Sequence, residues 1–216
     1  MLVADRLVPP CGHGVPSRPA GPSRRRWKTA PVTVPPALSL RWRTHAEDVD
    51  AALRTALTVC WRDVANSGGA VGFAELLPVT DDDVRQVVEE VLAGLHPRLS
   101  RLLTATRNGT LAGWLLFTGN ADPVTAHWGR VSRVQTAIEA RGTGVARSLM
   151  TELARSARDD LGLDWLRLEL RGGWGLEAFY ERFGWVTVGA WPGALQFTQH
   201  GRRDEVLMAL DLRSFA

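Results

Sequence analysis

Residues 131–150, VSRVQTAIEARGTGVARSLM, decide the fold of this chain. The stretch begins with an alternating run in which Val131, Arg133 and Gln135 share one face, and this alternation predicts a strand. A short loop follows, and the segment 141–146, RGTGVA, opens a helix. The apolar positions of that helix recur at helical spacing and are Val145, Leu149, Leu153 and Ala154. The stretch therefore predicts a strand, a glycine-containing loop and a helix in succession.

The loop has the properties of an anion-binding site. The N–H groups in the first turn of a helix have no helical partners, and the helix dipole adds roughly half a positive charge there. Gly142 and Gly144 let an anion approach the backbone, and Arg141 supplies a cation beside them. A nucleotide-like polyphosphate is one interpretation, and a plain tight turn is the other. The spacing excludes a P-loop and the G-x-G-x-x-G loop of dinucleotide folds.

Length and composition limit the class of protein. The chain has 216 residues, enough for one domain with a tail, and its 45% apolar content supports a full core. No apolar run approaches the roughly 18 residues needed to cross a bilayer, so we expect no membrane association. The two cysteines, Cys11 and Cys60, form no disulfide framework, and a reducing, cytoplasmic setting is expected.

The first 36 residues are predicted to be a disordered, basic, proline-rich tail, followed by a folded domain over residues 37–216. The tail contains six cations and one acid, a net charge of +5, so the remaining residues carry −2 of the chain's total of +3. Because the folded part is not basic, a nucleic-acid partner is not expected.

The patterns along the chain predict the element order β, α, α, β, β, β, α, β, α, β, β. Thr44 and Glu47 have the spacing of a capping box and predict the start of the first helix. Asn108-Gly109 between two apolar alternating runs predicts a hairpin. The last two strands are expected at residues 185–190 and 204–212. Hairpins combined with strand–helix–strand units predict an α/β (α+β) fold, with a mixed sheet and helices on both of its faces.

Two motifs within this order of elements resemble those of the GCN5-related N-acetyltransferase (GNAT) superfamily. The acetyl-CoA motif of that family, Arg/Gln-x-x-Gly-x-Gly/Ala, is matched by Arg141, Gly144 and Ala146 between a strand and a helix. The second motif places a tyrosine on a short helix before a Gly-aromatic pair, here Tyr180 and Gly184-Trp185. The resemblance covers about residues 37–214 and implies a GNAT-like, mostly antiparallel sheet of six to seven strands.

The resemblance implies an acetyl-CoA-dependent N-acetyltransferase acting on an amine, or a hydroxyl, of a small molecule such as an amino acid or antibiotic. Two short strings, GGAVGF at 68–73 and EAFY at 177–180, are similar to tabtoxin resistance protein-like acetyltransferases, which favours a small acceptor. The alternatives are acetylation of a protein or peptide and a non-catalytic CoA-binding regulatory module. A monomer and a homodimer are both compatible with the sequence.

The resemblance also implies roles for individual residues. The pyrophosphate of acetyl-CoA is expected on Arg141, Gly142, Thr143, Gly144, Val145, Ala146 and Arg147. The pantetheine arm is expected to pair with the strand backbone at Val134, Gln135 and Thr136. Tyr180, the only tyrosine in the chain, occupies the position of the general acid that protonates the departing thiolate. A phenol with a pKa of about 10 can donate to a thiolate of pKa about 8.5. The alternative is an aromatic side chain that packs a helix.

The general base is less clearly indicated than the acid. Glu169 lies late in a predicted strand, between Leu168 and Leu170, so it faces the opposite side of the sheet from both leucines. It either accepts a proton from the acceptor or binds its ammonium group, or it pairs with Arg167 or Arg171 and has no chemical role. His127 and His200, both in predicted loops, are further candidates.

No Cys, His or Asp spacing indicates a metal site. The run Asp81-Asp82-Asp83 follows Thr80 and is predicted to cap a helix rather than to bind a cation.

Overall fold

The computed structural model describes residues 37–69, 71–198 and 201–214. Within these ranges the strands and α-helices follow the predicted order. The strands are β1 (Leu38–Arg43), β2 (Ser100–Arg107), β3 (Thr110–Gly119), β4 (Trp128–Thr136), β5 (Trp165–Arg171), β6 (Val186–Phe197) and β7 (Gly201–Asp211). The helices are α1 (Ala51–Asn66), α2 (Asp81–Ala93), α3 (Val145–Asp159) and α4 (Glu177–Glu181). The predicted tail, Cys11 and His200 lie outside the described residues, so the division into tail and domain stays a prediction.

The strands form one seven-stranded sheet in the order β1-β2-β3-β4-β5-β7-β6. Every neighbouring pair is antiparallel except β4 and β5, which are parallel because α3 connects them as a crossover. The predicted mixed, mostly antiparallel sheet is therefore confirmed.

The helices lie on both faces of the sheet, as predicted. Neighbouring side chains of a strand point to opposite faces, and two neighbours in β3 show which helix covers which face. Trp114 packs edge-on against Trp61 of α1, with 5.3 Å between the ring centroids. A Cβ placed on Gly113 would instead meet Val145 and Leu149 of α3, at 2.8 and 3.3 Å. Therefore α1 covers one face and α3 covers the other.

The predicted apolar stripe holds α3 on the sheet. Its four residues, Val145, Leu149, Leu153 and Ala154, are each at most 1% exposed. Burial of a leucine side chain contributes roughly 1.5–3 kcal/mol, so the stripe stabilises the packing of the helix on the sheet. The carboxylate of Glu152, also in α3, accepts a hydrogen bond of 3.1 Å from Trp42 Nε1 of β1.

The predicted hairpin at Asn108 and Gly109 is confirmed. Both residues have positive φ, 51° and 78°, which is the conformation that a two-residue turn between twisted antiparallel strands requires. The turn joins β2 directly to β3.

The predicted capping box of Thr44 and Glu47 is wrong, and the first helix begins later. The carboxylate of Asp48 instead accepts a hydrogen bond of 2.8 Å from the backbone N–H of Thr44. Ala46–Asp48 form one turn of 3-10 helix, which stops at Val49 because the backbone there is extended, with φ −115° and ψ 100°. α1 begins only after Asp50, whose side chain accepts a hydrogen bond of 2.8 Å from the N–H group three residues ahead.

The last two strands are longer than predicted, and the loop between them is shorter. β6 runs through Pro192 and Gly193, which the sequence pattern assigns to a loop. β6 is an edge strand, where a missing N–H is tolerated, and its register with β7 shifts between Trp191 and Leu195. This irregularity accommodates the proline, so the two strands form a long hairpin.

Candidate active site

β4 and β5 separate after a short paired segment. Their parallel ladder joins residues 128–130 to residues 165–167 and then ends. The following residues of the two strands, 131–136 and 168–171, line a cavity of about 750 Å³, within the roughly 300–1,000 Å³ that is common for ligand sites. Because no described strand pairs with this edge of β4 beyond residue 130, its backbone there is available to an extended ligand.

A bulge in β4 directs side chains at the cleft. The register of β4 against β3 shifts between Trp114 and Leu116 of β3, where β4 carries an extra residue. Arg133 lies in this bulge with a φ of 54°, which is uncommon for a residue other than glycine. Its guanidinium carbon is 4.5 Å from the ring centroid of Trp61. Bulges often occur beside binding sites because they re-aim a side chain.

The glycine loop has the geometry of an anion cradle. Gly142 and Gly144 have φ values of 74° and 86°, a left-handed conformation that costs other residues roughly 1–2 kcal/mol. Among the described residues, no acceptor is hydrogen-bonded to the N–H groups of these glycines or of residues 145–147. Five N–H groups at the start of α3 are therefore open to a ligand.

Two loop residues also make contacts within the protein. Arg141 Nη2 donates a hydrogen bond of 3.1 Å to Ser67 Oγ, which links the loop to the end of α1. The hydroxyl of Thr143 donates to the carbonyl of Ala140 at 2.7 Å, and Thr143 does not line the cavity. The predicted site residues that do line it are Val134, Gln135, Thr136, Arg141, Gly142, Gly144, Val145, Ala146, Arg147, Glu169 and Tyr180.

The cleft contains a further cation that the sequence did not predict. Arg182 of the segment after α4 lines the cavity, with its guanidinium carbon 5.3 Å from the ring centroid of Phe179. Arg147 is 5.9 Å from the ring centroid of Phe183. The only sequence signal for this role of Arg182 was its position within the tyrosine motif. Whether its side chain points into the cavity depends on how α4 packs.

Tyr180 is the buried side chain of α4, at 8% exposure. Its ring packs edge-on against Phe179 and Trp185, with centroid distances of 5.0 and 6.0 Å. Burial raises the pKa of Tyr180 above its ordinary value, because a phenolate would lose its hydration there. Tyr180 lines the cavity, and its hydroxyl makes no hydrogen bond with another described residue.

Glu169 faces the predicted side of β5, opposite to the buried Leu168 and Leu170. It pairs with Arg130 of β4, with 3.2 Å between Oε1 and Nη2. The alternative in which Glu169 pairs with Arg167 or Arg171 is not observed, because both of those side chains stack on aromatic rings instead. Glu169 is thus tied to the last paired residue of β4, at the point where the strands begin to separate.

The loop between α1 and α2 closes one side of the cleft. The Asn66 amide holds the loop ends together, donating to the Val79 carbonyl at 3.0 Å and accepting from the Val79 N–H at 2.9 Å. Trp61 Nε1 donates to the Val71 carbonyl at 2.6 Å. Gly69 and Val71 of this loop line the cavity.

The β6–β7 hairpin closes the same side. The backbone N–H of Thr198 lies 3.0 and 3.1 Å from the two carboxylate oxygens of Glu75, which belongs to the α1–α2 loop. Leu195 and Glu205 of the hairpin line the cavity. The loop and the hairpin therefore form one connected wall.

Gly113 sets the position of the glycine loop, and the sequence did not predict this. A Cβ at Gly113 would meet the backbone carbonyl oxygen of Gln135 at 2.7 Å and Val145 Cγ1 at 2.8 Å. The first residue of α3 can lie against β3 and β4 only because this side chain is missing.

Two more arginines of the cleft had no predicted binding role. Arg133 was assigned only to a strand, and Arg171 only as a possible partner of Glu169. Both line the cavity. Their positions in the cavity depend on the bulge and on the separation of the strands, which leave no local signal in the sequence.

His127 and the aspartates of α2 do not contribute to the site. His127 is exposed and does not line the cavity. The aspartates at the start of α2 cap that helix as predicted, since Asp83 accepts hydrogen bonds from the N–H and hydroxyl of Thr80 at 2.8 and 2.7 Å. No group of three or more His, Cys, Asp or Glu side chains in the described part of the chain is placed to hold a metal. None of the helices described has the length and apolar content that a membrane crossing requires.

The comparisons with known proteins agree with this geometry. The family model described as the acetyltransferase (GNAT) domain matches residues 80–191, which include the glycine loop and Tyr180. No curated protein matches the chain significantly.

Among solved structures, a candidate phosphinothricin N-acetyltransferase is 23% identical, with a TM-score of 0.62, over 82% of this chain and 99% of that chain. A candidate acetyltransferase from Salmonella typhimurium, solved with its cofactor acetyl-CoA, is 19% identical, with a TM-score of 0.60, over 83% and 96%. The ribosomal-protein-S18-alanine N-acetyltransferase from Escherichia coli is 15% identical, with a TM-score of 0.57, over 81% and 94%.

At these identities the solved structures show a shared fold, and they include proteins named for small-molecule and for protein acceptors. The narrower likeness to tabtoxin resistance protein-like enzymes stays a prediction. The family model itself matches more than half of the chain. The chain therefore belongs to the GNAT acetyltransferase family and is an acetyl-CoA-dependent acyltransferase.

Proposed function

We propose that this enzyme transfers the acetyl group of acetyl-CoA directly to the amine of a small molecule. The observation that carries the proposal is Tyr180, a buried phenol that lines the same cavity as the glycine loop. Its hydroxyl has no hydrogen-bond partner among the described residues. A cradle for phosphates and a proton donor thus share one cleft.

The residues present suit acetyl-CoA. The five open N–H groups at the start of α3, with Arg147 and Arg182 nearby, would bind the pyrophosphate. The unpaired edge of β4 at Val134, Gln135 and Thr136 would bind the pantetheine arm through the backbone. Bound there, acetyl-CoA would supply an acetyl group activated as a thioester, which a neutral amine can attack directly.

Tyr180 acts as the general acid in this proposal. Burial raises its pKa, so the phenol is protonated at neutral pH. In this role its O–H donates to the sulfur as the carbon–sulfur bond of the thioester breaks. Its packing between Phe179 and Trp185 fixes the ring, so the hydroxyl is held in one position.

Glu169 acts at the acceptor end. It lines the cavity and is about a quarter exposed, and its ion pair with Arg130 leaves one carboxylate oxygen available to an acceptor ammonium group. We assign it to binding the acceptor amine and accepting its proton. Arg130 then serves to orient the carboxylate.

A small acceptor is favoured over a protein segment by the wall of the cleft. The α1–α2 loop is anchored at both ends and to Trp61, and the hydrogen bond between Glu75 and Thr198 connects it to the β6–β7 hairpin. An extended peptide would need an open groove where this wall stands. Proteins named for alanine acetylation on ribosomal proteins share the fold, so peptide acceptors are the second candidate.

The test is a Tyr180→Phe variant assayed for acetyl transfer to a panel of small primary amines and of peptides with free N-termini. Loss of a general acid should lower kcat by about a hundredfold to ten-thousandfold. The dissociation constant for acetyl-CoA should be unchanged, because the phenol ring and its packing are retained. Wild-type kcat/KM should be higher for the small amines than for the peptides.

Unchanged turnover in Tyr180→Phe would refute the role of the phenol as an acid. A higher kcat/KM for peptides would overturn the small-molecule assignment while leaving the acid in place. A Phe183→Leu variant serves as a control for general loosening of the aromatic cluster, since Phe183 contacts Phe179 but carries no proton donor.

A further inference from the structure

Two arginines of the cleft are partly buried without an acidic partner. Arg133 of β4 and Arg171 of β5 both line the cavity. Burial lowers the pKa of each guanidinium below its ordinary value, and for Arg133 the distant Glu90 offsets this only in part. Neither side chain makes an ion pair or hydrogen bond with another described residue. A cation withdrawn from water without a counter-charge is costly, so this arrangement points to an anionic ligand.

Aromatic rings hold both guanidinium groups in place. Arg133 lies 4.5 Å from the ring centroid of Trp61. Arg171 lies 5.5 Å from that of Trp174 and 5.4 Å from that of Phe197. Stacking satisfies the faces of a guanidinium but leaves its N–H groups free to bind an oxyanion. The two cations are therefore pre-organised.

A buried amide next to Arg133 also lacks partners. Gln135 is 2% exposed, and both its Nε2 and its Oε1 are buried without a hydrogen bond. Its register partner is Trp114 of β3, so its side chain faces the same side of the sheet as α1. Gln135 lines the cavity. Buried amide groups normally find partners, and a polar ligand in the cleft would provide them.

These groups are separate from the phosphate cradle. Arg133 stacks on α1, whereas the open N–H groups belong to the start of α3 on the other face of the sheet. Arg171 and Glu169 are two residues apart in β5 and so share a face. Glu205, the register partner of Arg171, also lines the cavity but makes no ion pair with it. The acceptor side therefore offers both cationic and anionic groups.

We propose that the acceptor is a zwitterion of the amino-acid type, whose oxyanion binds Arg133 and Arg171 while its amine lies towards Glu169. This inference rests on the proposed N-acetyltransferase function. Gln135 adds hydrogen bonds to the same ligand. The oxyanion is a carboxylate or a phosphoryl-type group, since both match the N–H groups of a guanidinium.

The test measures kcat/KM for the twenty L-α-amino acids, each beside its carboxamide, and for aminoalkylphosphonates. The carboxamide has the lower amine pKa and so the larger unprotonated fraction, which by itself would favour the amide. We expect kcat/KM for the amino acids or for the phosphonates to exceed kcat/KM for the carboxamides, which lack the oxyanion, by roughly ten- to hundredfold, as charge-assisted hydrogen bonds imply. The better of the two charged series identifies the oxyanion.

Arg133→Gln and Arg171→Gln should each remove most of this preference by lowering kcat/KM for the charged acceptor alone. Arg167→Gln is the matched control, because Arg167 lies on the same face of β5 and stacks on Trp128 but does not line the cavity. It should keep the preference. Circular dichroism melts check folding, and the wild-type ratio decides the question even if a variant fails to fold.

The two levels of the proposal fail in different ways. If the carboxamides are acetylated with the same kcat/KM as the amino acids and the phosphonates, the zwitterion inference is overturned and the N-acetyltransferase proposal stays intact. If no amine of any kind is acetylated although acetyl-CoA binds, the proposed function itself is refuted.

Discussion

Gly113→Ala is expected to damage both stability and cofactor binding, because it acts where α3 meets the sheet. The new Cβ would lie 2.7 Å from the Gln135 carbonyl oxygen and 2.8 Å from Val145 Cγ1. Contacts below 3.0 Å require the neighbours to move, and one of these neighbours is backbone. The first turn of α3 and the edge of β4 must therefore separate.

The size of the effect follows from two opposing contributions. Overpacking a well-packed core costs about 1–3 kcal/mol. Replacing glycine reduces the entropy of the unfolded chain and stabilises by about 0.4–1 kcal/mol. The clash outweighs the entropy gain, so a net loss of about 1–2 kcal/mol is expected, a fall in Tm of roughly 2–8 °C for a domain of this size.

Cofactor affinity should fall as well, because Val145 contributes one of the open N–H groups of the cradle. Loss of one hydrogen bond to a charged phosphate corresponds to about a tenfold rise in the Kd for acetyl-CoA. Urea denaturation and isothermal titration calorimetry measure the two effects. A double variant, Gly113→Ala with Val145→Ala, should show a favourable coupling of at least about 0.5 kcal/mol, since one of the clashes is removed.

Gly119→Ala provides the control at the other end of β3. Its Cβ would meet the Arg98 carbonyl oxygen at 2.8 Å, so it should lose similar stability while acetyl-CoA affinity is retained. A Gly113→Ala variant with unchanged stability and unchanged affinity would show that α3 does not depend on this close approach.

Two further predictions concern single titratable groups. Burial, with a smaller contribution from Glu139, raises the pKa of the Cys60 thiol to about 12. In a Cys11→Ser background, Cys60 should therefore resist N-ethylmaleimide at pH 8 and react only in urea, as mass spectrometry would detect. Rapid labelling of the native protein would contradict its burial. Hydrogen bonds from the hydroxyl and then the N–H of Thr80 lower the pKa of Asp83, so its contribution to stability is present above the ordinary Asp pKa of about 3.9 and is lost as the pH falls further. Urea midpoints measured from pH 6 to pH 2 should therefore fall less steeply for Asp83→Asn than for the wild type, and identical slopes would count against the capping box.

Local patterns were sufficient to predict the order of the elements and the glycine loop before α3. The alternation in β4, the apolar stripe of α3 and the Asn108-Gly109 turn each depend on neighbours a few residues away, so they are visible in the sequence. The errors arose where two local signals competed. Thr44 has a capping spacing to Glu47, but Asp48 accepts the hydrogen bond from the Thr44 N–H. Pro192 signals a loop, although the edge strand β6 tolerates it.

The sequence by itself determined the order of strands and helices along the chain and the glycine loop before α3, because these follow from periodicity and turn chemistry. Only the tertiary structure decided that β4 and β5 separate after three paired residues and that Arg130 takes Glu169 as its partner. It also decided that Arg133 and Arg171, from different strands, line the same cleft. Such contacts depend on strand register and on a bulge, which are set by residues distant in the sequence and leave no periodic signal of their own.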